Sequence, residues 1–77
     1  MKQQDKQYYI VNERLEYFTR NDFNGKAFFL PAKEDGTPPV IAYVRGEWEA
    51  HNKMRYLEVY GSGFKALKLK PVEDEIA

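Results

Sequence analysis

Catalysis needs side chains that attack, or that hold and move protons, and this sequence is short of them. His51 is the only histidine, Ser62 is the only serine, and cysteine is absent. A Ser/His/Asp set, a Cys/His pair and a thiolate zinc site all call for residue types that are missing or occur once. Ser62 lies between Gly61 and Gly63, the composition of a plain connecting turn. Carboxylates are plentiful, but Glu34/Asp35 and Glu47/Glu49 fall in polar stretches that give no reason for a raised pKa. No EF-hand spacing is present, and Gly61-Ser62-Gly63 lacks the later Gly and Lys of a phosphate-cradling loop. The expectation is a protein that is not an enzyme and uses no metal and no cofactor.

Binding is better supplied. Six tyrosines, five phenylalanines and one tryptophan stand in 77 residues. A thin core can use only some of them, because each tyrosine hydroxyl must reach water or a partner. Tyr, Trp and Arg are also the residue types that dominate interface hot spots. Trp48 sits between two glutamates, and Arg55, Tyr56 and Tyr60 follow it. Lys65, Lys68 and Lys70 come next, so aromatic and basic residues interleave from 53 to 70. Trp48, Arg55, Tyr56, Tyr60, Lys65, Lys68 and Lys70 are therefore the candidate partner-binding residues. The leading expectation is a small regulator, inhibitor or accessory subunit that engages a protein partner. The alternative is an OB-like domain that binds single-stranded nucleic acid with a basic hairpin over 53–70, lysines tracking phosphates and rings stacking on bases. Self-association into a homo-oligomer is compatible with either.

Charge qualifies the alternative. The formal net charge is zero, whereas general nucleic-acid binders carry a basic footprint. The charge is unevenly placed: +2 over residues 1–33, −3 over 34–52, +4 over 53–72 and −3 over 73–77. The chain offers no apolar stretch long enough to span a bilayer and no signal-peptide pattern behind its first lysine. With no cysteine, a cytoplasmic location is expected.

One stretch carries a resemblance. Gly25-Lys26-Ala27-Phe28-Phe29-Leu30, then Asp35-Gly36, then Val40-Ile41-Ala42-Tyr43-Val44 resembles the second and third strands of a cold-shock domain in order and spacing. That resemblance would imply an OB barrel whose strand motifs stack single-stranded bases. It is confined to residues 25–44. Ala27 and Phe29 stand where the first motif has glycines, and Ile41 and Val44 where the second presents aromatics. The stacking platform is thus largely missing, and the chain is not assigned to that family.

The elements that must position these residues read as follows. Residues 1–6 are expected to be a disordered polar N-terminal end, 7–72 a single small β domain, and 73–77 an acidic C-terminal tail. Gln7 to Asn12 is rich in aromatic and β-branched residues and predicts a strand. Residues 13–20 suit either a strand or a helical turn. Asn24-Gly25 predicts a two-residue type I′ turn joining strands at 15–23 and 26–32, with Phe23 opposite Lys26 and Asn21 opposite Phe28. Val40 to Arg45 predicts a central strand, and Gly46 to Asn52 a short helix. Met54 to Tyr60 and Phe64 to Lys70 predict two further strands, with Leu67 and Leu69 on one face and Lys68 and Lys70 on the other. With 7–12 and 15–23 read as one long first strand, the order is long strand, strand, strand, short helix, strand, strand. The fold class is mostly β: a small five-stranded barrel or curved antiparallel sheet, OB-like or SH3-like, with at most one short helix.

Overall fold

A computed structural model describes residues 6–60, 63–64 and 66–72. The ends at 1–5 and 73–77 and the candidate Lys65 lie outside the described residues, as do Gly61 and Ser62. Among the described residues the fold is mostly β, with five antiparallel strands and one helix. In chain order these are β1 (Gln7–Val11), β2 (Tyr17–Asn21), β3 (Ala27–Leu30), β4 (Arg45–Gly46), α1 (Glu47–Tyr60) and β5 (Lys68–Pro71).

β1 is the centre of the sheet. Tyr8 pairs with both Pro71 and Arg45, and Val11 with both Lys68 and Tyr17. A strand has two edges, so β5 runs along one edge while β2 and β4 share the other, one at each end. β3 then pairs with β2. The sheet stays open, since β3 and β5 form opposite margins and do not pair among the described residues. Of the two expected shapes, it is the curved sheet that forms and not the barrel. Side chains alternate across the strands. Ile10, Phe18 and Leu69 face α1 and meet Leu57, with Ala27, Leu67, Phe29, Tyr43, Met54 and Phe64 around them.

Three five-residue loops, Asn12–Glu16, Asp22–Lys26 and Lys33–Thr37, share one design. In the first, Asn12 N–H donates to the Glu16 carbonyl (3.1 Å) and Leu15 N–H to the Asn12 carbonyl (3.0 Å). In the second, Asp22 N–H donates to the Lys26 carbonyl and Gly25 N–H to the Asp22 carbonyl, both at 2.9 Å. Lys33–Thr37 repeats the pattern at 2.8 Å for each bond. The fourth residue of each loop is left-handed: Leu15 (φ 62°), Gly25 (φ 89°) and Gly36 (φ 87°). This is a type I turn closed by a residue at positive φ. In the first two loops the leading Asx side chain accepts two further N–H bonds. Asn12 Oδ1 takes Arg14 and Glu16, and Asp22 Oδ1 takes Asn24 and Lys26. In the third, Asp35 accepts from the Thr37 N–H and hydroxyl, which lowers its pKa below the usual aspartate range.

These loops correct the expected register. Asp22 captures the N–H groups of Asn24 and Lys26, so the turn needs positive φ only at Gly25. The two-residue turn at Asn24-Gly25 does not form. Asn21 faces Ala27 and Arg20 faces Phe28, and a bulge between Phe18 and Arg20 shifts the ladder again to Tyr17↔Leu30. Phe23, expected to pair with Lys26, is 96% exposed at the loop tip. Residues 13–16 are loop and 17–21 are strand, which settles the ambiguous stretch.

Two expected strands do not form. Val40 to Val44 is not a central strand. Pro38 and Pro39 precede it, Ala42 N–H turns back to the Pro39 carbonyl, and Val40 and Ile41 stay exposed. Its only backbone bond to β2 is Tyr43 N–H to the Phe18 carbonyl at 2.9 Å. Met54 to Tyr60 is the second half of α1. Ala50, Met54 and Leu57 recur at i, i+4 and i+7, a stripe that reaches the core only as a helix. Hence no hairpin spans 53–70. No helix among the described residues is long and apolar enough to cross a membrane.

Candidate functional site

α1 packs one narrow stripe against the sheet and leaves the rest of its circumference to solvent. Ala50 and Leu57 are buried, and Met54 is half-buried beside them. At 3.6 residues per turn, Trp48, Asn52, Arg55 and Val59 fall on the opposite side. All four are exposed, Trp48 by 77%. Tyr56 and Tyr60 lie on the flank between, 48% and 71% exposed, with ring centroids 5.0 Å apart.

That flank forms one wall of a shallow, solvent-open groove of about 410 Å³. Tyr43 and Arg45 stand opposite Trp48, Glu49, Asn52, Lys53 and Tyr56. Pairing explains why β4 delivers its residues there. Arg45 lies opposite Tyr8, on the α1 side of the sheet, and Tyr43 precedes it by two positions. The Arg45 guanidinium lies 4.7 Å from the Tyr43 ring centroid, and one of its N–H groups donates to the Val44 carbonyl at 2.7 Å. Lys53 ties the helix to the sheet. Its ammonium donates to Asn21 Oδ1 at 2.8 Å and lies 5.1 Å from the Tyr56 ring and 5.5 Å from the Phe18 ring. Burial pushes the Tyr43 hydroxyl pKa up, with Arg45 opposing and Glu49 adding to the rise.

The groove therefore has aromatic walls and two cations seated on rings, an arrangement suited to holding a side chain of a partner. Among the described residues no group of three or more His, Asp or Glu is placed to hold a metal. His51 is exposed on α1.

The candidate residues divide into two sets. Trp48, Arg55, Tyr56 and Tyr60 come together on α1, with Trp48 and Tyr56 lining the groove. Lys68 and Lys70 do not join them. They pair with Val11 and Tyr9, while Leu69 between them pairs with Ile10 in the core. Both lysines thus project from the sheet face turned away from α1. The sequence reading missed Tyr43, Arg45 and Lys53 as groove residues. A usable signal was the i, i+2 spacing of Tyr43 and Arg45 immediately before a helix, which puts both on that helix's side.

Comparison with protein-family models, with curated proteins and with solved structures finds no match for this chain.

Proposed function

We propose that the protein is a non-enzymatic binding module of the cytoplasm that engages a protein partner through α1 and the adjoining groove. One observation carries this reading: Trp48, Val59 and Tyr60 are among the most exposed large apolar residues, and all three lie on one helix with Tyr56. Scattered exposed apolar residues are ordinary, but a group of this kind on one element marks an interaction surface. Trp48 supplies a large ring at low entropic cost, and Arg45, Arg55 and Lys53 supply a charged rim around it. Regulators, inhibitors and accessory subunits work by such surfaces.

The test places a photo-reactive phenylalanine analogue at position 48 and, as a control, at position 33 on a distant loop. Crosslinking in native extract from position 48 to one protein, absent from position 33, supports the reading. With that protein purified, Trp48→Ala should weaken binding at least tenfold, about 1.4 kcal/mol. Equal crosslinking from both positions removes the surface on α1 from this account.

A further inference from the structure

We propose that the sheet face turned away from α1 binds single-stranded nucleic acid. This site is separate from the groove and does not depend on the protein-partner reading.

The strand register defines the face row by row. Lys68, Val11, Tyr17 and Leu30 are successive partners across β5, β1, β2 and β3. Four strands at their usual spacing make this row about 14 Å wide. Lys70 and Tyr9 on β5 and β1, and Arg20 and Phe28 on β2 and β3, all lie on the same side of that row, toward the start of β1. Every charge in these rows is positive: Arg20, Lys68 and Lys70. Among the described residues none of the three is engaged in an ion pair. A chain with no net charge thus gathers three unpaired cations and no carboxylate in these rows of one sheet face.

Rings lie between the cations. Tyr9 packs edge-on against Tyr17 at 5.2 Å and 86° and is itself half-buried. Phe28 is 37% exposed, with the Arg20 guanidinium 5.0 Å from its centroid. Leu30 is also partly exposed. Val11 and Tyr17, at the middle of the row, are buried, so the ring surface open to a ligand is that of Phe28 and part of Tyr9. Exposed ring faces accept bases by stacking, and lysines at the margin track phosphates without reading sequence. An open sheet with aromatics between basic residues is how several single-strand binders are built. An acidic peptide would use the cations but would not stack on the exposed Phe28 ring.

Anisotropy of fluorescein-labelled oligothymidine and oligouridine, titrated with the whole chain at low and at physiological salt, tests the proposal. Binding is expected at low salt, falling linearly in log–log with salt. Lys68→Ala with Lys70→Ala should weaken it more than tenfold and flatten the slope by about 1.4, two phosphate contacts at ~0.7 each. Lys68→Arg with Lys70→Arg should retain it. Phe28→Leu, which keeps apolar volume and loses the ring, should weaken binding about tenfold at an unchanged slope. Trp48→Ala should leave binding as it was. Each variant is checked for an unchanged thermal midpoint. No binding at low salt overturns the proposal. So does binding that survives the lysine and Phe28 variants, or a face that takes labelled oligoglutamate in preference to the oligonucleotides.

Discussion

The loops Asn12–Glu16 and Asp22–Lys26 are the same structure made twice from different residues. Each closes a type I turn, each turns the side-chain oxygen of its first residue onto two backbone N–H groups, and each ends in a left-handed residue. They differ in burial and in that left-handed residue. Asn12 is fully buried, and its amide also donates to Glu16 Oε1 at 3.0 Å. Asp22 is partly exposed, and its loop tip is in water. Leu15 holds the strained torsion in the first loop, where Gly25 holds it without cost in the second. The buried loop thus tolerates strain because Asn12 over-determines it, while the exposed loop relies on glycine.

The strongest way to break this comparison is Asn12→Ala. It strips two N–H groups of their acceptor where water cannot easily replace it, and a loss of about 2–4 kcal/mol is expected. Urea denaturation measures it, and a midpoint shift no larger than that of Asp22→Ala would sink the distinction between the loops. Next comes Gly25→Ala. A Cβ there meets nothing within 4 Å, so only the torsion is penalised, by about 1 kcal/mol. Asn24 is not at positive φ, so Asn24→Ala adds little to that cost. The smallest effect has the opposite sign. Leu15 is 69% exposed, so Leu15→Gly loses little burial and relieves the torsion. A gain of up to about 1 kcal/mol is expected in thermal unfolding, after the entropy that glycine adds to the unfolded chain. Destabilisation by Leu15→Gly would show that the leucine side chain, and not Asn12, holds the loop.

The same contrast shows what was legible in the sequence. Positive φ was read at Asn24-Gly25 because glycine announces it, although Asp22 decided the turn type. At Leu15 nothing announces it. β1 was readable from its β-branched and aromatic run, and the alternation of Leu67, Lys68, Leu69 and Lys70 gave their faces correctly. Met54 to Tyr60 misled because Leu57 and Val59 alternate as in a strand. The helical stripe becomes visible only when Ala50 is counted, and alanine is a weak apolar signal. Val40 to Val44 misled because apolar runs are usually buried, and two prolines ahead of this one turn it off the sheet. Of the candidate site, Trp48, Arg55, Tyr56 and Tyr60 on α1 were found as a group of residue types. Lys53 on α1 was not, nor were Tyr43 and Arg45, whose contribution depends on which side of β1 they land.

The pairing of β1 sets an order of events in time. The edge it shares with β2 and β4 closes at Val11 through a short loop but at Gln7 and Tyr8 only when Gly46 and Arg45 arrive, and its other edge is completed only when Tyr8 meets Pro71 and Val11 meets Lys68. Contacts between residues so far apart in sequence form late and slowly. In synthesis from the N-terminus, β1 lacks its partner on that edge until β5 has emerged. Through that interval Tyr8 to Val11 presents an open apolar edge, the kind of surface that nascent-chain chaperones cover.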